Sequence, residues 1–131
     1  MEYYFSKTLS NISFDQAVEK TKEALMEEGF GVLSEIDLKA TLKKKIEVDF
    51  YNYKILGACN APFAYKALQA EDKIGTMLPC NVIVQERNAG FIEVSAVNPT
   101  ASMQAVINLD LVEIADEVSE KLKRVIKNIK P

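Results

Sequence analysis

The sequence contains no histidine, and this absence excludes several common kinds of site. Without an imidazole there is no Ser-His-Asp triad, no Cys-His pair and no histidine-ligated zinc or haem. A general base would have to be a carboxylate, a lysine, a tyrosine or a thiolate, or come from a cofactor. The two cysteines are too few for a structural zinc site, which normally takes four Cys or His ligands. A metal site would therefore need carboxylates, a second subunit, or both.

The sequence also lacks a strong excess of charge and any long apolar run. Its formal net charge is −3, so it has no general attraction for nucleic acid or anionic lipid. Its apolar runs fall short of the roughly 20 residues that a membrane span needs. The N-terminus has no basic region followed by a hydrophobic stretch, as a secretory signal would have. We expect a cytoplasmic protein with a single domain, residues 1–131, that binds neither membranes nor nucleic acid.

Two long amphipathic helices are predicted, one near each end of the chain. Ser13 begins the first, with Gln16 three residues later to complete a capping box, and Gly29 ends it. The second runs from about Leu109 to Ile129, with acidic residues in its first half and basic residues in its second, the order that the helix dipole favours. Each helix keeps one continuous apolar stripe, which predicts that both pack against the same core.

Alternating apolar residues predict five strands, at residues 3–9, 30–36, 51–59, 80–86 and 91–97. Short helices are expected after Asp37, after Asn60 as N-cap and near residues 100–106, whereas residues 74–79 are expected to be irregular. The predicted class is α+β: a five-stranded, mainly antiparallel sheet in the order β-α-β4-α, covered on one face by the two long helices. If the other face is apolar, it must be covered by the short helices or by a second subunit.

The stretch from Gly57 to Asn81 contains both cysteines, each followed directly by asparagine. Cys59 directly precedes a predicted helix N-terminus, where unpaired N–H groups stabilise a thiolate. Cys80 begins the next strand, and in an antiparallel sheet the end of one strand lies close to the start of its neighbour. We therefore expect both sulfurs at one edge of the sheet. The predicted ligand-binding residues are Gly57, Cys59, Asn60, Pro79, Cys80 and Asn81, with Cys59 and Cys80 as the candidates for catalysis.

Several interpretations of the two cysteines remain open from the residues alone. They could form a redox dithiol, a soft two-thiolate site for a metal such as Cu(I), or a nucleophilic thiol with a supporting neighbour. They could equally be small buried apolar residues, with the two asparagines acting as capping and turn residues. Three further groups are weaker candidates for a site. They are the carboxylates Asp49, Glu71 and Asp72, the tyrosines Tyr51, Tyr53 and Tyr65, and the basic segment 39–45.

Motifs along nearly the whole chain resemble one family, the domain of unknown function 302. They include GFGVLSEID at residues 29–37, ILGACN at residues 55–60, LPCNVIV at residues 78–84 and Asn98-Pro99. The resemblance implies a TATA-binding-protein-like α+β fold and a homodimer, and it brings no activity and no cofactor. Some members occur beside proteins of sulfur and thiol chemistry, which suggests a redox or sulfur-handling role. This chain departs from the family pattern at Ala61, Phe63 and Tyr65, which bear on the shape of any pocket there.

Three functional hypotheses follow. The first is a homodimeric binding module that holds a small ligand, an anion or a soft metal at the two Cys-Asn motifs. The second is a thiol-dependent redox or sulfur-handling enzyme that uses Cys59 and Cys80. The third is a structural or interaction domain without a small-molecule site.

Overall fold

A five-stranded antiparallel sheet forms the centre of the computed structural model, which describes residues 1–131. Its strand order is β1-β5-β4-β3-β2, and every neighbouring pair is antiparallel. This confirms the predicted α+β class. The strands are β1 (Tyr4–Ser10), β2 (Gly31–Asp37), β3 (Tyr53–Cys59), β4 (Cys80–Asn88) and β5 (Phe91–Val97).

Two long helices, α1 (Phe14–Glu27) and α5 (Leu109–Asn128), cover one face of this sheet. Ser13 caps α1 as expected, because its hydroxyl accepts from the Gln16 N–H while the Gln16 side chain accepts from the Ser13 N–H. Gly29 follows the helix at φ +85°, a conformation that glycine adopts without strain. The apolar stripes of both helices join the sheet in one cluster of nineteen buried residues. None of the helices is both long and apolar enough to cross a bilayer.

Short helices connect the remaining strands: α2 (Leu38–Ile46), α3 (Ala61–Ala70), a 3₁₀ helix (Asp72–Met77) and α4 (Pro99–Ser102). Asp37 caps α2 as predicted, through a bond from the Ala40 N–H. The expectation of irregular chain at residues 74–79 is wrong for residues 74–77, which belong to the 3₁₀ helix Asp72–Met77. That segment forms a 3₁₀ helix because the side chain of Ile74 is buried beside Ala67 and Leu111, which draws the chain into a tight turn.

The opposite face of the sheet carries no long helix. Residues on this face alternate along each strand with residues of the core face. Ile83 lies between the core residues Val82 and Val84, and Ile55 directly precedes the core residue Leu56. Ile55 and Ile83 remain partly exposed, and α2 has no buried residue. The short helices therefore do not bury this face.

Candidate functional site

The two Cys-Asn motifs meet where β3 ends and β4 begins. Ala58 lies directly opposite Cys80 in the register of these strands, and Cys59 is the next residue of β3. Both cysteines are free thiols; Cys59 is half-buried and Cys80 is buried. The expectation that antiparallel pairing would bring both cysteines to one edge of the sheet agrees with this register.

Both cysteines line an apolar cavity of about 320 Å³ on the helix side of the sheet. Its walls come from the ends of β3 and β4, from α3, from the start of α4 and from the first half of α5. Asn60 is the only amide side chain in the lining, and none of the lining residues is charged. The remaining lining residues are Phe30, Leu33, Ala58, Phe63, Ala64, Ala67, Leu68, Leu78, Pro79, Pro99, Met103, Ile114, Ala115 and Val118.

The structure places four of the six predicted ligand-binding residues at this cavity, namely Cys59, Asn60, Pro79 and Cys80. Asn81 pairs with Gly57 in the register and lies on the opposite face of the sheet, in a shallow groove lined by Tyr4 and Tyr53. The alternation of side chains along β4 explains this separation, because consecutive residues of a strand point to opposite faces. Cys80 and Asn81 therefore do not form one site.

Gly57 allows its neighbours to pack closely beside the cavity wall. A Cβ atom at this position would lie 2.8 Å from the Cγ of Pro79 and would also collide with the Ser34 hydroxyl. Real Cβ atoms do not approach other atoms this closely, so β2 and the Pro79 ring can pack against β3 only because residue 57 has no side chain. Gly57 thus sets the position of the Pro79 ring, which forms part of the cavity wall.

Cys80 is held in its protonated form at neutral pH. Burial, followed by the charge of the neighbouring Cys59, raises the pKa of the Cys80 thiol from its ordinary value of 9.0 to about 11. A protonated thiol is a poor nucleophile. Cys80 therefore serves the cavity as an uncharged wall residue under ordinary conditions, and Cys59 is the more accessible of the two sulfurs.

Asn60 occupies the N-cap position of α3, but its side chain makes no capping hydrogen bond. Its Nδ2 instead donates to the Glu28 carbonyl at 3.2 Å, beyond the last turn of α1. The predicted capping function of the Asn60 side chain is therefore wrong. The physical reason is competition: the carbonyl at the end of α1 needs a donor, and Asn60 supplies it. The amide ties the cavity wall to the end of α1.

The other groups considered from the sequence lie outside the cavity. Asp49 pairs with Lys43 at 3.0 Å, and Asp72 pairs with Lys73 at 3.3 Å, in each case on the exposed surface. Glu71 accepts from Asn108 at 3.5 Å. No group of three or more histidine, cysteine, aspartate or glutamate side chains is arranged to hold a metal ion.

The predicted tyrosines and lysines are likewise separate from the cavity. Tyr65 is 65% exposed, whereas Tyr51 donates to Gln85 at 3.3 Å and Tyr53 lines the groove on the opposite face of the sheet. Segment 39–45 lies in α2, whose lysines are exposed. The basic segment therefore forms part of the solvated surface.

The sequence pointed to Phe63 as a residue that affects the shape of a pocket, but not to most of the cavity wall, including Leu68, Met103 and Ile114. Apolar residues in helices are expected to pack against neighbours, and their pattern does not show where the packed elements leave a space between them. One signal was available in the sequence. Ala64 and Ala67 are small residues on the packing side of α3, and small residues there leave room between a helix and its neighbours.

Comparisons with known proteins give consistent results. The family model of the domain of unknown function DUF302 matches residues 5–129. A solved structure described as an uncharacterized conserved protein DUF302 from Bacillus stearothermophilus is similar, with a TM-score of 0.90 and 23% sequence identity. The match covers 99% of this chain and 100% of the other. At 23% sequence identity, this structural similarity shows that the two chains share a fold and does not assign a function. No curated protein matches the sequence.

Proposed function

Because the chain belongs to the DUF302 family, whose description assigns no activity, we propose a function from the cavity itself: the protein binds a small, uncharged, largely apolar molecule. The molecule would lie between the ends of β3 and β4, α3 and α5. Cys59 and Asn60 would be the polar groups beside it. The observation that carries this proposal is the apolar cavity of about 320 Å³ at the two cysteines.

The size and the lining of the cavity support an apolar ligand. Small-molecule sites commonly have volumes of about 300–1,000 Å³, with apolar walls and a few polar groups that orient the ligand. This cavity lies at the lower end of that range. Ordered water needs two to four polar partners, and the lining supplies few. An apolar molecule of roughly ten non-hydrogen atoms would therefore suit the space better than a cluster of water molecules.

The same lining argues against the other two ligand classes considered from the sequence. No lysine or arginine faces the cavity, so it offers no charged group to hold an anion. A soft metal would find two thiols, one of which is buried and has its pKa raised to about 11. Metal binding would require the Cys80 thiol to lose its proton and to form a thiolate in an apolar environment. The apolar small molecule is the best-supported ligand.

The binding test uses indole, toluene and 1-octanol as probes and follows backbone amide resonances during titration. We expect shifts confined to α3, α5 and the ends of β3 and β4. Ala67 is only 4% exposed and lines the cavity, so Ala67→Leu should fill part of the space and abolish the shifts. The matched control is Gln69→Leu on the exposed side of the same helix, which should bind the probes as the unaltered chain does.

Two results would overturn the binding proposal. One is the absence of localised shifts with every probe at millimolar concentration. The other is equal binding by the Ala67→Leu variant, provided that circular dichroism shows both variants folded. The first result would mean that the protein's own side chains fill the space in solution, and the second would mean that the probes bind elsewhere.

A second candidate function, thiol redox or sulfur handling, is favoured by one observation. Both thiols line the same cavity, and Cys59 contributes, after burial, to the raised pKa of Cys80. Mild oxidation followed by peptide mapping tests this candidate. A Cys59–Cys80 disulfide that forms in the folded chain and is reversed by dithiothreitol would support redox use. Sulfenic acid on Cys59 without a disulfide would rule out a dithiol cycle.

A further inference from the structure

We propose that the cavity selects apolar molecules that carry a hydrogen-bond donor, a hydroxyl or an N–H group, and that the Asn60 Oδ1 atom accepts this hydrogen bond. The inference rests on the proposed function, that the cavity binds a small molecule, and it adds what the molecule must carry. Asn60 thus determines specificity, whereas the apolar walls accept any molecule of suitable size.

The hydrogen bond to the end of α1 fixes the orientation of the Asn60 amide. Its Nδ2 atom donates to the Glu28 carbonyl at 3.2 Å. A carbonyl oxygen can only accept, so the nitrogen of the amide must face it, and the oxygen lies on the other branch. Turning the amide over would place Oδ1 against the Glu28 oxygen and would lose this bond. Oδ1 is therefore held as an acceptor directed away from the Glu28 carbonyl.

No donor of the chain bonds to Oδ1. The oxygen of an N-cap side chain normally accepts from the backbone N–H of the second or third helical residue. Here the second residue of α3 is Pro62, which has no N–H, and the Asn60 side chain makes no capping hydrogen bond. The single hydrogen bond of this side chain is the one from Nδ2 to Glu28. Oδ1 is therefore free to accept a hydrogen bond from another molecule.

Oδ1 adjoins the cavity. Asn60 is only 9% exposed and lines this space. Every fully buried side-chain nitrogen or oxygen of the chain has a hydrogen-bond partner. Because Oδ1 has none, it must adjoin open space, and the space that Asn60 lines is the cavity. The lining contains no hydroxyl and no charged side chain, so Oδ1 is its strongest side-chain acceptor.

A buried acceptor of this kind discriminates between ligands of the same shape. A ligand that fills the cavity shields Oδ1 from water. If the ligand carries a hydroxyl or N–H group, that group supplies the hydrogen bond, whereas a purely apolar ligand leaves Oδ1 unpaired. Sites that hydrogen-bond a donor of the ligand therefore reject the analogue that lacks it. We expect a preference of about 10-fold or more for the ligand with the donor.

The test compares indole with indene, which has nearly the same shape but a CH₂ group in place of the N–H. Titrations followed by amide resonances give the dissociation constant of each probe. Each constant is corrected for the partition of the probe between water and cyclohexane, which removes the difference in hydrophobicity. After this correction, indole should bind more tightly than indene by about 10-fold or more. The Asn60 Cγ resonance should move downfield with indole and not with indene, and this comparison needs no variant.

Two variants assign the preference to Asn60. Asn60→Leu removes the acceptor while keeping a side chain of similar size, and it should abolish the corrected preference for indole. Gln69→Leu makes the same change from amide to leucine on the exposed side of α3, so it should keep the preference.

Three results would overturn the inference, and they separate it from the proposed function. Equal corrected binding of both probes to the unaltered chain would overturn the inference and leave the proposed function intact. A preference that persists in a folded Asn60→Leu variant would also overturn it, because another group would then be the acceptor. The absence of binding by both probes would overturn the proposed function and this inference together.

Discussion

Gly57 is a residue where a single added methyl group has a definite structural cost. The Cβ of an alanine would lie 2.8 Å from the Pro79 ring and would also meet the Ser34 hydroxyl. The hydroxyl can rotate, but the ring cannot move without shifting the chain between the 3₁₀ helix and β4. We therefore expect Gly57→Ala to lower the free energy of unfolding by about 1–3 kcal/mol, the usual cost of overpacking.

Gly31 provides the control for this substitution. It lies in β2 without positive φ, and a Cβ there meets nothing within 4 Å. Gly31→Ala should leave stability unchanged or raise it by about 0.4–1 kcal/mol, because it restricts the unfolded chain. Urea denaturation of both variants checks the comparison. Equal stability of the two variants would show that β2 and Pro79 are free to move away from β3.

Cys80 makes stability depend on pH at the alkaline end. Its pKa is raised by burial and by Cys59 to about 11 in the folded chain, from an ordinary value of 9.0. Between about pH 9 and pH 11 the unfolded chain loses this proton while the folded chain keeps it, so stability falls with rising pH. Below about pH 9 the protonated Cys80 thiol makes its full contribution to the free energy of unfolding, which amounts to about 2–3 kcal/mol.

The comparison with Cys80→Ala isolates this effect, because every other ionisable group is the same in both proteins. The unaltered chain should lose about 2–3 kcal/mol more than the variant across this pH range, as measured by urea denaturation at each pH. If the free energy of unfolding changed with pH in the same way for both proteins, Cys80 would have to be in contact with solvent in the folded state.

At the scale of elements, side-chain hydrogen bonds hold the helix α4 against α5, and the hydroxyl of Ser119 is central to them. Ser119 donates to the Asn98 side chain at 2.8 Å and accepts from the Thr100 N–H at 3.0 Å. Ser119 and Asn98 are both buried. Ser119→Ala would leave the Asn98 oxygen and the Thr100 N–H without these partners. We expect a loss of about 1–3 kcal/mol in the free energy of unfolding.

Ser102→Ala is the matched control for that loss. The Ser102 hydroxyl makes one long bond of 3.5 Å, to the Pro99 carbonyl within the same helix. Its removal should change stability by less than about 0.5 kcal/mol. Chemical denaturation distinguishes the two variants, and an equally small effect of Ser119→Ala would show that water replaces its hydrogen bonds.

The elements themselves were largely predictable because their causes are local. The capping box at Ser13, the glycine at residue 29 and the alternation of residues 91–97 each specify a boundary within a few residues. The 3₁₀ helix at Asp72–Met77 was missed because its cause is not local. It depends on the burial of Ile74 against Leu111, which lies far along the chain. The Asn60 side chain was misassigned for the same reason, since its partner is Glu28.

At the scale of the whole molecule, the position of the cysteines could be predicted but the cavity beside them could not. Two strand ends specify where Cys59 and Cys80 meet, because antiparallel pairing brings those ends together. The cavity depends on how closely α3 approaches α5 and the sheet. That distance follows from the combined shapes of side chains such as Phe63, Met103 and Ile114. No spacing within the sequence encodes such a distance.

The distribution of buried side chains also predicts how the molecule opens. Nineteen buried residues join α1, α5 and the sheet, whereas only Ala67, Ile74 and Leu111 form the smaller cluster under α3 and the 3₁₀ helix. Because less apolar surface holds that region, its amides should exchange with solvent through a partial opening of lower free energy than global unfolding. The amides of β4 and β5 should exchange only by global unfolding.

Native-state hydrogen exchange at increasing urea, read by mass spectrometry of peptides from α3 and β4, measures both openings. A molecule that occupies the cavity contacts α3 and α5 together, so adding a bound probe should slow exchange in α3 and change β4 less. The prediction of one domain requires that the two regions converge on a single global unfolding transition at high urea. Exchange of α3 at the same rate as β4 without urea would contradict the weaker packing. It would then place α3 within the main core, with the cavity as a rigid part of that core.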